Sequence, residues 1–152
     1  MIDRIKYEMK QKSVRFWLTA SLIWASLIFI GTSLPTFSGP HTRAILGQFD
    51  GFVRTCAHLC EFFILSFVLY GIGVSLKLHG WKNLAFVLSI VMALAFSDEI
   101  HQVFVAGRSY KLIDIGKDLL GASFALIVVR IPLLRRKLFN IRPKYRRIVY
   151  YA

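Results

Sequence analysis

Four apolar runs, separated by short polar or basic stretches, set the pattern of this chain. They fall at about 16–34, 58–78, 83–97 and 112–134, between basic segments at 1–15 and 135–152. A helix needs about 20 apolar residues to cross a hydrocarbon core, so each run predicts a span. The third is the shortest and delivers the chain to the polar segment that starts at Asp98. The predicted fold is all-α: one membrane domain over 1–152, a four-transmembrane-helix bundle. A polar segment between spans three and four is either re-entrant or extracytoplasmic. The first run is longer than the roughly 7–15 apolar residues of a signal peptide, and no small-x-small cleavage pattern precedes Pro35, which predicts a retained span. Pro35, Gly39, Pro40 and Gly47 predict a loop to about Asp50, with room for a short helix near 42–49. Lys77 to Lys82 predict a tight turn.

Composition agrees with burial in lipid. The chain has 152 residues, is 56% hydrophobic and has a mean hydropathy of +0.56, more apolar than the roughly 45–50% of soluble domains. The net charge of +12 invites a nucleic-acid reading, but the bases argue against it. They cluster at the two ends and in the 77–82 turn, beside apolar spans, as cytoplasmic anchors do. The positive-inside rule then places both termini and that turn in the cytoplasm, and the 35–57 and 97–111 segments outside. Cys56 and Cys60, spaced i,i+4, read as small apolar helix residues rather than a metal pair or a disulfide.

Six of the eight acids lie between residues 50 and 118. His58/Glu61, Asp98/His101/Gln102 and Asp114/Asp118/Gly121 each share a helix face, and the topology puts all three faces at the outer end. Ionisable groups at membrane depth cost at least ~2.5–3.5 kcal/mol each, so they turn toward one another or toward water. The prediction is a polar pocket opening outward. His58, Glu61, Asp98, Glu99 and His101 are the candidate catalytic set, a histidine held by a carboxylate being suited to acid–base work near neutral pH. Arg108, Gln102, Asp114, Asp118 and Arg54 are the candidate substrate-binding set, in which Arg108 offers a planar fork to phosphate or carboxylate. The same donors can hold a divalent metal, although their spacing matches no closed metal motif. The plainer alternatives are an ion pair from Arg108 to Asp114 or Glu99, and His58 with Glu61 as a capped helix start. Phe62, Phe63, Phe104 and the tryptophans read as lipid-facing or belt residues.

The run Asp98-Glu99-Ile100-His101-Gln102-Val103-Phe104, followed by Gly107-Arg108, Asp114 and Gly121, resembles the signature of the VanZ-like family, named for a teicoplanin-resistance accessory protein. The Arg54…His58…Glu61-Phe62 start of span two and the Ser33-Leu34-Pro35 end of span one fit the same layout, from about Trp24 to Val128. The chain departs from the family's usual pattern at Arg54 (commonly Lys), Ala106 (commonly Pro) and Asp118 (commonly Asn). The resemblance implies a multi-pass protein of the bacterial cytoplasmic membrane with a role in the envelope, including lower susceptibility to lipoglycopeptides in some members. It implies no particular reaction. The partners expected are a membrane lipid or a lipid-linked cell-wall precursor, with its anionic head group bound, and hydrolysed or transferred, in the outward pocket. A small proton- or ion-coupled transporter and a non-catalytic scaffold are the rival expectations.

Overall fold

A backbone in lipid has to satisfy its own hydrogen bonds, and this chain does so as helix. The computed structural model describes residues 2–34 and 39–139, with no strand among them. Its helices are α1 (Ile2–Ser33), α2 (Gly39–Leu46), α3 (Asp50–Ser75), α4 (Trp81–Gln102), α5 (Leu112–Val128) and α6 (Pro132–Phe139), with a single 3-10 turn, Gly47–Phe49, between α2 and α3. Among the described residues three stretches are long and apolar enough to cross a membrane: Val14–Ser33, Pro40–Ser75 and Trp81–Gln102.

The boundaries refine the sequence reading. The basic arm at 1–15 is continuous with the first span, since residues 2–30 contain no glycine or proline to interrupt a helix. The expected short helix near 42–49 exists as α2 and the 3-10 turn. The fourth apolar run was expected to continue as one helix to 134. Instead α5 has 17 residues and stops at Val128. Pro132 is the cause, because it lacks an amide hydrogen and its ring clashes with the carbonyl four residues back, whereas the first turn of a new helix accepts it. The basic tail with Arg142, Lys144, Arg146 and Arg147, and Pro35 of the first loop, lie outside the described residues.

α3 is the hub, packing most extensively on α5, then on α1 and α4. Buried side chains recur at helical spacing: Phe62, Leu65 and Leu69 on α3, Val87, Val91 and Ala95 on α4, and Ala122, Ala125 and Val129 at α5 and its end. Phe62 is 1% exposed and thus a core residue, contrary to its lipid-facing reading. Two tryptophans also turn inward. Trp17 packs edge-on against Phe67, and the half-buried Trp24 donates from Nε1 to the Glu61 carbonyl at 2.8 Å. Trp81 stays exposed at the turn, as a belt residue would.

Small residues set the closest approaches, as in other membrane bundles. A Cβ at Gly121 would come within 2.3 Å of the Leu59 carbonyl oxygen, so α5 and α3 touch backbone to backbone there. A Cβ at Gly71 would strike the Trp17 ring, which fixes how closely α1 lies on α3.

The α3–α4 turn is closed by a Schellman motif. Leu78 N–H donates to the Gly73 carbonyl at 2.8 Å and Lys77 N–H to the Val74 carbonyl at 2.9 Å, with Lys77 left-handed at φ +62. Such a site favours glycine, and a side chain there costs about 1–2 kcal/mol. Lys77→Gly is therefore expected to raise the unfolding free energy in detergent by about 1 kcal/mol; a loss of stability would show that the lysine side chain contributes more than its backbone strain.

Candidate functional site

The outer-end expectation translates into one end of the bundle where the end of α1, the start of α3, the end of α4 and the start of α5 meet. Two hydrogen bonds fasten them. Thr32 on α1 donates from Oγ1 to Asp98 Oδ1 on α4 at 2.7 Å. His58 on α3 and Asp118 on α5 meet at 2.8 Å between Nδ1 and Oδ1. Asp118 is fully buried, His58 and Asp98 nearly so. Since a carboxylate accepts, His58 Nδ1 carries the proton in this contact. Its Nε2 lies 3.9 Å from Asp114 Oδ2, beyond hydrogen-bond length.

Asp98, Asp114 and Glu99 each have further partners of their own. Gln102 donates from Nε2 to the second oxygen of Asp98 at 2.7 Å, so that carboxylate is held from two helices. Asp114 is paired at 2.5 Å with Lys117, one turn along α5. Glu99 is fully buried and accepts the backbone N–H of Lys111 at 2.6 Å. Lys111 is the N-cap of α5 and offers no side-chain cap itself. Glu99 thus caps α5 from α4, where the helix dipole favours a negative charge.

Between those two helices the chain turns sharply. Successive i→i+3 bonds, Val103 to Ile100, Phe104 to His101 and Val105 to Gln102, tighten the end of α4. Gly107 then takes φ +79, and the left-handed step turns Arg108 back toward the bundle, where it is half-buried. Burial lowers the Arg108 pKa from its ordinary value, and the nearby Arg54 adds to the shift; Asp98, Glu61 and Glu99 act in the opposite sense.

A cavity of about 360 Å³ occupies this end. Its walls are Gly31 and Thr32 from α1, Thr42 and Leu46 from α2, Arg54, His58 and Glu61 from α3, and Arg108 from the loop. Two guanidinium groups, one imidazole and one carboxylate therefore face a single space.

Of the ten residues expected at a site, His58, Glu61, Arg54 and Arg108 line the cavity, and Asp118 supports it through His58. Asp98, itself bonded to Gln102, holds the cavity wall at Thr32. Glu99 and Asp114 are buried behind, in structural pairings. His101 turns the other way: its Nε2 is 2.8 Å from Ser33 Oγ, and its ring lies against Phe29 with centroids 4.2 Å apart. Thr32, Thr42 and Lys117 were missed. A hydroxyl within an apolar run, like Thr32, is a usable signal for a partner across the bundle. Among the described residues no three His, Cys, Asp or Glu side chains are arranged to hold a metal ion.

The arrangement carries the family signature, with Asp98, Glu99, Gln102, Arg108, Asp114 and Gly121 each in a defined role. The VanZ/LLP1 family model matches residues 7–135. The chain belongs to the VanZ-like family. Family and apolar helices together identify a membrane protein. No curated protein and no solved structure matches the chain. The VanZ-like signature thus divides into residues that build the cavity and residues that hold its walls.

Proposed function

We propose that this VanZ-like protein binds an anionic head group, of a membrane lipid or of a lipid-linked cell-wall precursor, in the cavity between Arg54 and Arg108. The observation that carries this reading is the pairing of those two arginines. They sit in one half-enclosed space, close enough to act on one another. Like charges facing a common cavity repel, and an anion between them reverses the sign of the interaction. A phosphate or carboxylate suits the planar forks.

The cellular setting goes with the reading. α5, with the turn after it, serves as the fourth crossing, both termini lie in the cytoplasm of a bacterial inner membrane, and the cavity opens outward. The charge asymmetry supports that orientation. A membrane-impermeant thiol reagent applied to intact cells should therefore label His41→Cys and spare His79→Cys, in a background lacking Cys56 and Cys60. The reverse pattern would invert the protein. Lower susceptibility to teicoplanin is the phenotype to assay.

Native mass spectrometry of the purified protein tests the binding. An anionic lipid should be retained, and Arg108→Gln or Arg54→Gln should weaken it roughly ten- to hundredfold, the value of a hydrogen bond to a charged group. Unchanged retention in both variants would remove the arginine site.

The His58–Asp118 contact favours a second reading, in which the bound group is also altered. With Nδ1 held by Asp118, the ring presents Nε2 as an acid or base for hydrolysis or transfer at a phosphoryl or glycosyl bond. His58→Gln should then abolish turnover while leaving lipid retention intact. A transporter would instead show ion-coupled flux in liposomes, and a scaffold would keep its function through Arg108→Lys.

A further inference from the structure

The apolar stretch Pro40–Ser75 has 36 residues. At 1.5 Å per residue it would reach about 54 Å as a straight helix, far more than the ~30 Å of hydrocarbon it has to cross. α3 alone, with 26 residues, reaches about 39 Å and is sufficient. α2 and the 3-10 turn are therefore surplus to the crossing, and Gly47, left-handed at φ +54, interrupts the helix at that point. The surplus and the first turn of α3 present side chains in two directions. Thr42, Leu46 and Val53 face the cavity. Ile45, Phe49 and Phe52 point away from it and are 79%, 61% and 70% exposed.

Phe49 and Phe52 stand three apart at the start of α3, and Ile45 lies on α2 across the Gly47 break, so the three form an exposed apolar row on two short pieces of helix. Between residues 40 and 52 there are two formal charges, Arg43 and Asp50. On the opposite rim, beside Arg108, Val103 and Phe104 are also exposed. We infer that residues 40–52 form an interfacial segment lying in the head-group layer, with Ile45, Phe49 and Phe52 sunk among the upper acyl chains. The outward-opening cavity then has its mouth at the level of the head groups.

Three features select lipid as the occupant. Phe29 and Ile30, near the same end of α1, are exposed apolar side chains as well. A short segment with exposed apolar side chains and few charges, at the end of a membrane span, has the chemistry that settles among lipid head groups. Three side chains also offer far less area than the roughly 800 Å² per partner of a stable protein interface. The inference uses the proposed crossing by α3, and it does not depend on the arginine site.

Site-directed spin labelling tests it. The full chain carries Cys56→Ser and Cys60→Ser, with a single label at Ile45→Cys, Phe49→Cys or Phe52→Cys, in vesicles of phosphatidylglycerol and phosphatidylcholine. All three positions are well exposed, so the core is untouched, and each reports on the row independently. Molecular oxygen should relax these labels more than a water-soluble nickel chelate does, as at Phe124→Cys on the exposed face of α5. At His79→Cys, in the α3–α4 turn, the order should be reversed. Nickel access at 45, 49 and 52 equal to that at 79 would overturn the inference. So would dipolar broadening that persists on dilution with lipid, since a second copy would then cover the row. Failure here leaves lipid retention by Arg54 and Arg108 as a separate measurement.

Discussion

Gly121→Ala is expected to lower the unfolding free energy of the bundle by about 3 kcal/mol, the upper end of overpacking losses. The added methyl would lie 2.3 Å from the Leu59 carbonyl oxygen. Backbone cannot rotate aside as a side chain can, so α5 has to move off α3 across the most extensive contact in the fold. That movement also separates His58, adjacent to Leu59 on α3, from Asp118, one turn before Gly121 on α5. The internal control is Gly116→Ala, on the same helix, where a Cβ meets nothing within 4 Å. That variant should be neutral, or stabilising by up to about 1 kcal/mol through helix propensity. Denaturant titration of both proteins in one detergent decides the matter, and equal effects would refute the close approach.

The second large effect belongs to Asp118. Asp118→Ala removes the partner of a buried imidazole, and breaking a buried pair costs about 3–5 kcal/mol. Asp118→Asn should cost less than about 1 kcal/mol, because the amide oxygen still accepts from His58 Nδ1 and a buried charge is lost with it. The carboxylate oxygen replaced by the amide nitrogen, Oδ2, has no hydrogen-bond partner to lose. Unfolding curves separate the two substitutions. Nitrogen chemical shifts of the His58 ring report the tautomer directly, which should keep its Nδ1 proton in the asparagine variant and become mixed in the alanine variant. If alanine and asparagine prove equally harmful, the negative charge itself is required.

Much of this site was legible because helical spacing is local. His58 with Glu61, Asp98 with Gln102, and Asp114 with Asp118 and Gly121 were grouped by face before any packing was known, and all sit at one end of the bundle. What periodicity does not carry is the choice among partners once the faces meet. Asp98 is satisfied by Thr32, 66 residues earlier, and Asp114 by Lys117 on its own helix rather than by Arg108. His101 shares a face with Asp98 in sequence, yet it pairs with Ser33. Phe62 and Trp24 were assigned to lipid because a membrane helix is apolar all round and its hydrophobicity does not reveal its inner side. The early end of α5 was readable at Pro132.

The loose seating of α1 has a consequence for how the protein is assembled. Leu18, Leu22, Ile23, Leu27 and Ile30 are exposed along its length, so this helix stands in the bilayer on its own apolarity and does not need the others to be inserted. Its clasp at the far end, Thr32 to Asp98, cannot close until the chain has been made as far as α4. α1 therefore seats first on α3, through Trp24 and the Glu61 carbonyl, and its far end is locked only once α4 is in place.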